Sequence, residues 1–186
     1  MKQAGMSLIE LMVTLTVLAI GLAAAVPSFQ GTMKRNNIDN ALKEFSSAIK
    51  FTRSEAITQN SSVSICASSN QDTCTGDWQD GWIIFTDVDS AGTFTPSTDT
   101  LLRVHEALKT GYELDFDDAT PNSVTFLSRG FTDDQMGTFR MCAPNDDDNV
   151  FTRGIILQRT GSLRFAIDGD DDDGIREDAD GYNFDC

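Results

Sequence analysis

AGMSLIELMV, residues 4–13, leads into LTVLAIGLAAAV, residues 15–26, one of the most apolar runs in the chain. Glu10 sits near its start, where a carboxylate at membrane depth costs about 2.5–3.5 kcal/mol on insertion scales. From Leu8 to Val26 Glu10 is the only charge. That length matches the roughly 20 residues one membrane-crossing helix needs. Pro27 follows, where it would kink or locally unwind the helix. An ordinary secretory signal places its small-residue cleavage site after the apolar run. Here the small residue, Gly5, comes before it, so a cut after Gly5 keeps the apolar segment. Lys2 lies on one flank and Lys34 and Arg35 on the other, so charge alone leaves the orientation undecided.

Around this segment the chain has 186 residues, room for one domain plus an appendage, and its 40% hydrophobic content suffices for a core. The net charge of −15 repels nucleic acid phosphates and favours solubility. The four cysteines, Cys66, Cys74, Cys142 and Cys186, include no CxxC pair, and His105 is the single histidine. That argues against a zinc site of standard spacing and against a thiol enzyme. An even cysteine count behind an apolar segment fits an oxidising compartment and two disulfides. Cys66 and Cys74 could close a short loop while Cys142 and Cys186 pin the C-terminal region to a strand, but four cysteines allow three pairings. The chain carries no GxSxG, P-loop or HExxH motif, and His105, in an expected strand, reads as structural.

Past the apolar run, NNIDNALKEFSSAIKFTRSEAITQ (36–59) places Ile38, Leu42, Phe45, Ile49, Thr52 and Ala56 at alternating spacings of four and three. That is one face of an amphipathic helix, read as contact with a core. After Asn60 the pattern changes to short runs rich in Val, Ile, Phe and Thr, at 62–66, 81–85, 101–107, 123–128, 138–142, 153–158 and 162–167. Turn-forming segments separate them, and QRTGSL suggests a hairpin between the last two. The expected fold is α+β: a long N-terminal helix packed on an antiparallel β-sheet head.

GMSLIELMVTLTVLAIGLAAAVPSF resembles the N-terminal signature of type IV pilins and pseudopilins. The resemblance implies that a prepilin peptidase cuts between Gly5 and Met6 and that Met6 is N-methylated. Glu10 and Pro27 match the family's Glu and Pro, while Met6 stands where the family usually has Phe. In the family, this Glu meets the N-terminal amine of a neighbouring subunit, which sets register during assembly. The alternative reading of Glu10 is a carboxylate favoured at a helix N-terminus. FTRSEAITQNSSVSIC, WQDGWIIFTDVDSAG, FLSRGF and RGIILQRTGSLR are similar to the GspH/FimT branch of minor pilins, over most of the chain up to about Asp168. The Cys142 and Cys186 arrangement echoes the C-terminal disulfide loops of many pilins.

The implied organisation is a leader at 1–5, a transmembrane helix at 6–27, its amphipathic continuation at 28–60, and a periplasmic β-rich head at 61–186. The implied partners are other minor and major pilins or pseudopilins, the prepilin peptidase and the inner membrane. The implied role is priming or tip assembly of a type IV pilus or a type II secretion filament. A pilus-tip DNA receptor is a different class, but it needs a basic surface, and this head is acidic. A membrane-tethered enzyme finds no motif.

Within the head, Arg53 and Glu55 could bridge helix to sheet, contact a neighbouring subunit, or form weak local pairs on a solvated face. Of Trp78 and Trp82, one is expected in the core and one over a loop. The run DGDDDDGIREDADGYNFDC (168–186) alternates Asp168, Asp170 and Asp172 before Gly174. Alternating carboxylates of this kind offer oxygen ligands to calcium. The run fails as an EF-hand, because Asp173 and Ala179 stand where Gly and Glu are needed. It reads either as a non-EF calcium loop or as a solvated acidic tail with no cofactor. NDDDN (145–149) and DVD (87–89) are weaker versions of the same pattern.

Overall fold

The computed structural model describes residues 7–117, 122–169 and 173–186, without the side chains of 23–28. The chain divides into two compact units, Met1–Asn37 and Ile38–Cys186. Helix α1, Leu8–Gln59, contributes to both. It runs through Pro27 without a break, against the expected unwinding. One proline removes a single backbone hydrogen bond, which flanking turns can absorb. The helix stops at Asn60, whose φ of 52° is left-handed. Asn60 N–H donates to Ile57 O and Ser61 N–H to Ala56 O, which caps the last carbonyls in a Schellman arrangement.

In the second unit the predicted face is the buried face. Ile38, Leu42, Phe45, Ile49, Thr52 and Ala56 are all 0–2% exposed. Among the described residues eight strands follow: β1 Val63–Ala67, β2 Trp82–Thr86, β3 Leu101–His105, β4 Glu113–Phe116, β5 Ser123–Phe126, β6 Gly137–Cys142, β7 Arg153–Leu157 and β8 Leu163–Phe165. They form two four-stranded sheets, ordered β3-β2-β1-β5 and β4-β6-β7-β8. Every strand pairing is antiparallel. Gln158–Ser162 closes the expected β7–β8 hairpin, with Gln158 N–H donating to Ser162 O.

The core is aromatic at its centre. Phe45 meets Trp78, Trp82 and Phe139 edge-on at 5.5, 5.0 and 4.7 Å between ring centroids, and Phe139 stacks on Phe116 at 4.0 Å. Such pairs add about 0.5–1.5 kcal/mol each beyond area burial. Both tryptophans are 2% exposed, which corrects the expectation that one would only cover a loop. The reason is a single turn of 3-10 helix, Trp78–Asp80, which tucks the first indole under β4 and β6.

β1 and β7 are buried at every position, so their sequences carry no alternation. For β7 the second layer is the C-terminal segment. Ile156, Ala166 and Phe184 form a small cluster of their own with Ile175 beside it. Gly154 makes room for this, because a Cβ there would overlap the Phe184 ring.

Candidate functional site

Glu10 lies exposed in the first turn of α1, where the helix dipole favours a carboxylate. Around it Leu8, Ile9, Leu11, Met12, Val13, Leu15, Val17, Leu18, Ile20 and Leu22 are 51–75% exposed. Among the described residues this is an exposed apolar surface. Among the described residues no helix is long and apolar enough to cross a membrane. The expected span of 6–27 includes Met6, which lies outside the described residues, as does Gly5, and the side chain of Pro27 lies outside them too.

In the head, Arg53 links α1 to the loops that follow β5 and β7. Its Nε donates to Gly130 O at 2.9 Å and its Nη2 to Thr160 O at 3.1 Å. Gly161, with φ of 73°, allows that junction to close, since a Cβ there would overlap Gly130 O. Glu55 instead accepts from Gln59 Nε2 on its own helix at 2.9 Å. Arg53 therefore bridges helix to sheet, while Glu55 forms a local pair.

Asp87, at the end of β2, is fully buried. Its Oδ2 accepts from Ser64 Oγ at 2.6 Å and Gly92 N at 2.9 Å, and its Oδ1 from Ala91 N at 3.0 Å. Asp99 anchors the other end of the same loop through Val88 N and Thr95 N. The DVD pattern is thus a loop anchor built from backbone donors. Asp146 of NDDDN does similar work for Phe151 N. His105 stacks on Trp82 at 3.8 Å, with Nε2 3.1 Å from Glu44 Oε1 and Nδ1 2.6 Å from Glu106 O, which ties β3 to α1.

The structure joins Cys66 to Cys74 and Cys142 to Cys186. The second bridge fastens the C-terminal segment across the second sheet. Within that segment Asp168 Oδ2 accepts from Gly174 N at 3.0 Å, while its buried Oδ1 has no partner among the described residues. Asp170 and Asp172 lie outside the described residues. Among the described residues no group of three or more His, Cys, Asp or Glu is arranged to hold a metal.

Sequence reading missed the Arg153–Asp39 link between β7 and α1, Nε to Oδ1 at 3.1 Å, with Arg153 only 6% exposed. A charged residue in an otherwise apolar strand, RGIIL, was the available signal.

Known proteins are similar to this chain in sequence profile and in fold. The sequence profile of the type II transport protein GspH matches residues 41–161, and that of the prokaryotic N-terminal methylation motif matches residues 1–26. The chain belongs to the GspH family. The family's members are minor pilin-like structural subunits of type II secretion or type IV pilus machines, and the methylation motif implies processing by prepilin peptidase. The type IV minor pilin FimU of Pseudomonas aeruginosa is similar in fold, at 23% identity and a TM-score of 0.56, over 72% of this chain and 91% of that one. The minor pseudopilin EpsH of the Vibrio cholerae type 2 secretion system matches at 17% identity and a TM-score of 0.48, over 69% of this chain and 95% of that one. No curated protein sequence matches.

Proposed function

We propose that this GspH-family subunit is cut between Gly5 and Met6, methylated on Met6, and held in the inner membrane by residues 6–27 with its head in the periplasm. It then joins an envelope filament, where it primes assembly or caps the tip. Glu10 pairs with the Met6 amine of a neighbouring subunit, since a buried charge is tolerated when an opposite one meets it. The observation that carries this reading is the exposed apolar face of α1 from Leu8 to Leu22, on the same helix whose later face is fully buried in the head. Such a face calls for lipid or other apolar helices. The net charge of −15 argues against direct binding of nucleic acid.

The test is a clean deletion in the source organism, complemented with the parent or with Glu10→Ala, and scored for surface pili and for secreted enzymes. Loss of pili with normal secretion assigns the type IV pilus. Periplasmic trapping of enzymes with normal pili assigns type II secretion. Full rescue by Glu10→Ala sinks the charge-pair account.

A second reading adds Ca²⁺ at Asp168 with Asp170 and Asp172. It is favoured by the buried, partnerless Oδ1 of Asp168. Calorimetric titration of the full chain with calcium checks it, and an absence of heat at millimolar calcium removes it.

A further inference from the structure

Among the described residues the two sheets end in four outer strands, β3 and β5 in the first, β4 and β8 in the second. Three of these are covered or cut short. Thr125 O of β5 accepts from Asp133 N–H, and Phe126 bridges to Thr132, so the chain's own loop runs beside that strand. Leu114 N–H of β4 donates to Gln79 Oε1. β8 has three residues, and just beyond it Ile167 O accepts from Glu177 N–H. β3 is different. It pairs with β2 on one side, and among the described residues no backbone–backbone bond reaches its other side. An open edge of this kind is a template for another strand.

The two faces of that edge differ. Arg103 stands opposite Ile84, a core residue packed with the α1 stripe, and its guanidinium lies over the Phe51 ring at 3.5 Å. Val104 stands opposite Ile83, which packs with Cys66 and Phe85 on the other face. Val104 and Leu101 are 44% and 39% exposed. Arg103 is exposed too, and among the described residues it has no carboxylate partner, in a chain of net charge −15. A strand laid against β3 therefore meets apolar positions on one face and a cation on the other. Charge decides what that strand is. In an antiparallel pair of two copies centred on Arg103, the two guanidinium groups stand opposite each other, and directly opposed like charges destabilise a strand pair. A carboxylate opposite Arg103 stabilises one.

We propose that β3 takes on an extended strand of a partner protein, with Asp or Glu opposite Arg103 and Val, Ile or Leu at the positions that alternate with it. Backbone bonds along the free edge hold the strand, and the carboxylate sets its register. The apolar side chains extend the surface of Leu101 and Val104. The proposal rests on the head alone and is independent of the processing and membrane readings above.

The test uses the full chain in detergent micelles and a dye-labelled, end-blocked peptide, Thr-Val-Glu-Val-Thr-Val, followed by fluorescence anisotropy. Saturable binding is expected, and the same peptide with Lys in place of its Glu should bind with a Kd about fivefold higher. Arg103→Glu should invert that order. Arg103→Met keeps a long side chain over Phe51 without the charge, and should bind the two peptides alike. If Arg103→Glu fails to fold by circular dichroism, Arg103→Met alone decides. The Glu peptide N-methylated throughout has the same side chains but cannot pair as a strand, and should not bind. With the Glu peptide bound, amide exchange should slow at 101–105 and stay unchanged at 163–165. Arg164→Glu, on β8, should leave Kd unchanged. The proposal is overturned if the parent binds neither peptide or both alike, or if the N-methylated peptide binds as well. It is also overturned if the parent buries β3 in a dimer of its own, seen as protection of 101–105 that rises with protein concentration.

Discussion

Replacing Asp87 by Ala should unlock the loop between β2 and β3. The carboxylate is fully buried and holds Ser64 Oγ and the backbone N–H groups of Ala91 and Gly92. After the change Ser64 still has Thr125 Oγ1 at 2.7 Å, and the exposed Ala91 can turn to water. The buried Gly92 N–H has no such recourse. An orphaned buried donor costs about 1–3 kcal/mol, and each lost bond to a charged acceptor about 1.5–3 kcal/mol. Relief of the carboxylate's own desolvation offsets part of this. A net loss of about 3 kcal/mol follows, or about 6–12 °C in Tm for a head of this size. Asp87→Asn should cost about half as much, because its carbonyl keeps one donor while its amide faces another. The assay is thermal unfolding of the detergent-solubilised chain by near-ultraviolet circular dichroism, with chymotrypsin as a local probe. Phe94, half-buried in that loop, should become a cleavage site well below Tm. A variant within 2 °C of the parent and uncut at Phe94 would refute the anchoring role.

Three further outcomes are expected. Removing the Cys142–Cys186 bridge, whose cysteines lie 44 residues apart, should cost about 4 kcal/mol by loop entropy, against about 2.5 kcal/mol for the Cys66–Cys74 bridge with its separation of 8. Urea unfolding of the two double-serine variants would show that order, and an inverted order would contradict it. Gly154→Ala should push Phe184 off β7 at about 1–3 kcal/mol, and hydrogen exchange should rise across 173–186 while β1 stays protected. Burial pushes the Asp117 carboxyl above the ordinary 3.8, and the nearby Asp178 charge adds to the rise, against opposing hydrogen bonds from Thr138 and the charge of Arg140. A raised carboxyl contributes stability that is complete below 3.8 and is lost as pH climbs through the folded value. Asp117→Asn should therefore flatten the fall in Tm above pH 3.8, and parallel Tm curves for parent and variant would count against it.

The helix and its buried face could be read directly, because Ile38, Leu42, Phe45, Ile49, Thr52 and Ala56 keep the 3.6-residue period without interruption. Seven of the strands were visible as runs of β-branched and aromatic residues. β4 was not, since ELDF offers only Leu114 and Phe116 inward between exposed Glu113 and Asp115. Four residues are too few for alternation to stand out. The fates of the two tryptophans and of Asp87 depend on contacts far apart in the chain, such as Trp78 with Phe139 and Asp87 with Ser64. No local period encodes those. The same holds for Phe184 on Gly154, where the signal is the absence of a side chain.

The two sheets share their strands in an interleaved order. The chain leaves the first sheet after β3, lays down β4 at the edge of the second, returns to place β5, and crosses again to β6. The first sheet is complete only after β4 of the second has been laid down, and the second only after the chain has returned to place β5. A cut anywhere between β3 and β6 separates strands that belong to one sheet, so the pieces have no stable fold to fall back on. The head is therefore indivisible as a folding unit. It should melt in a single step, and its folding should be slow for its size because the sheet contacts span long stretches of sequence. Any tag or insertion that tolerates this topology belongs in a loop that leaves all three crossings intact.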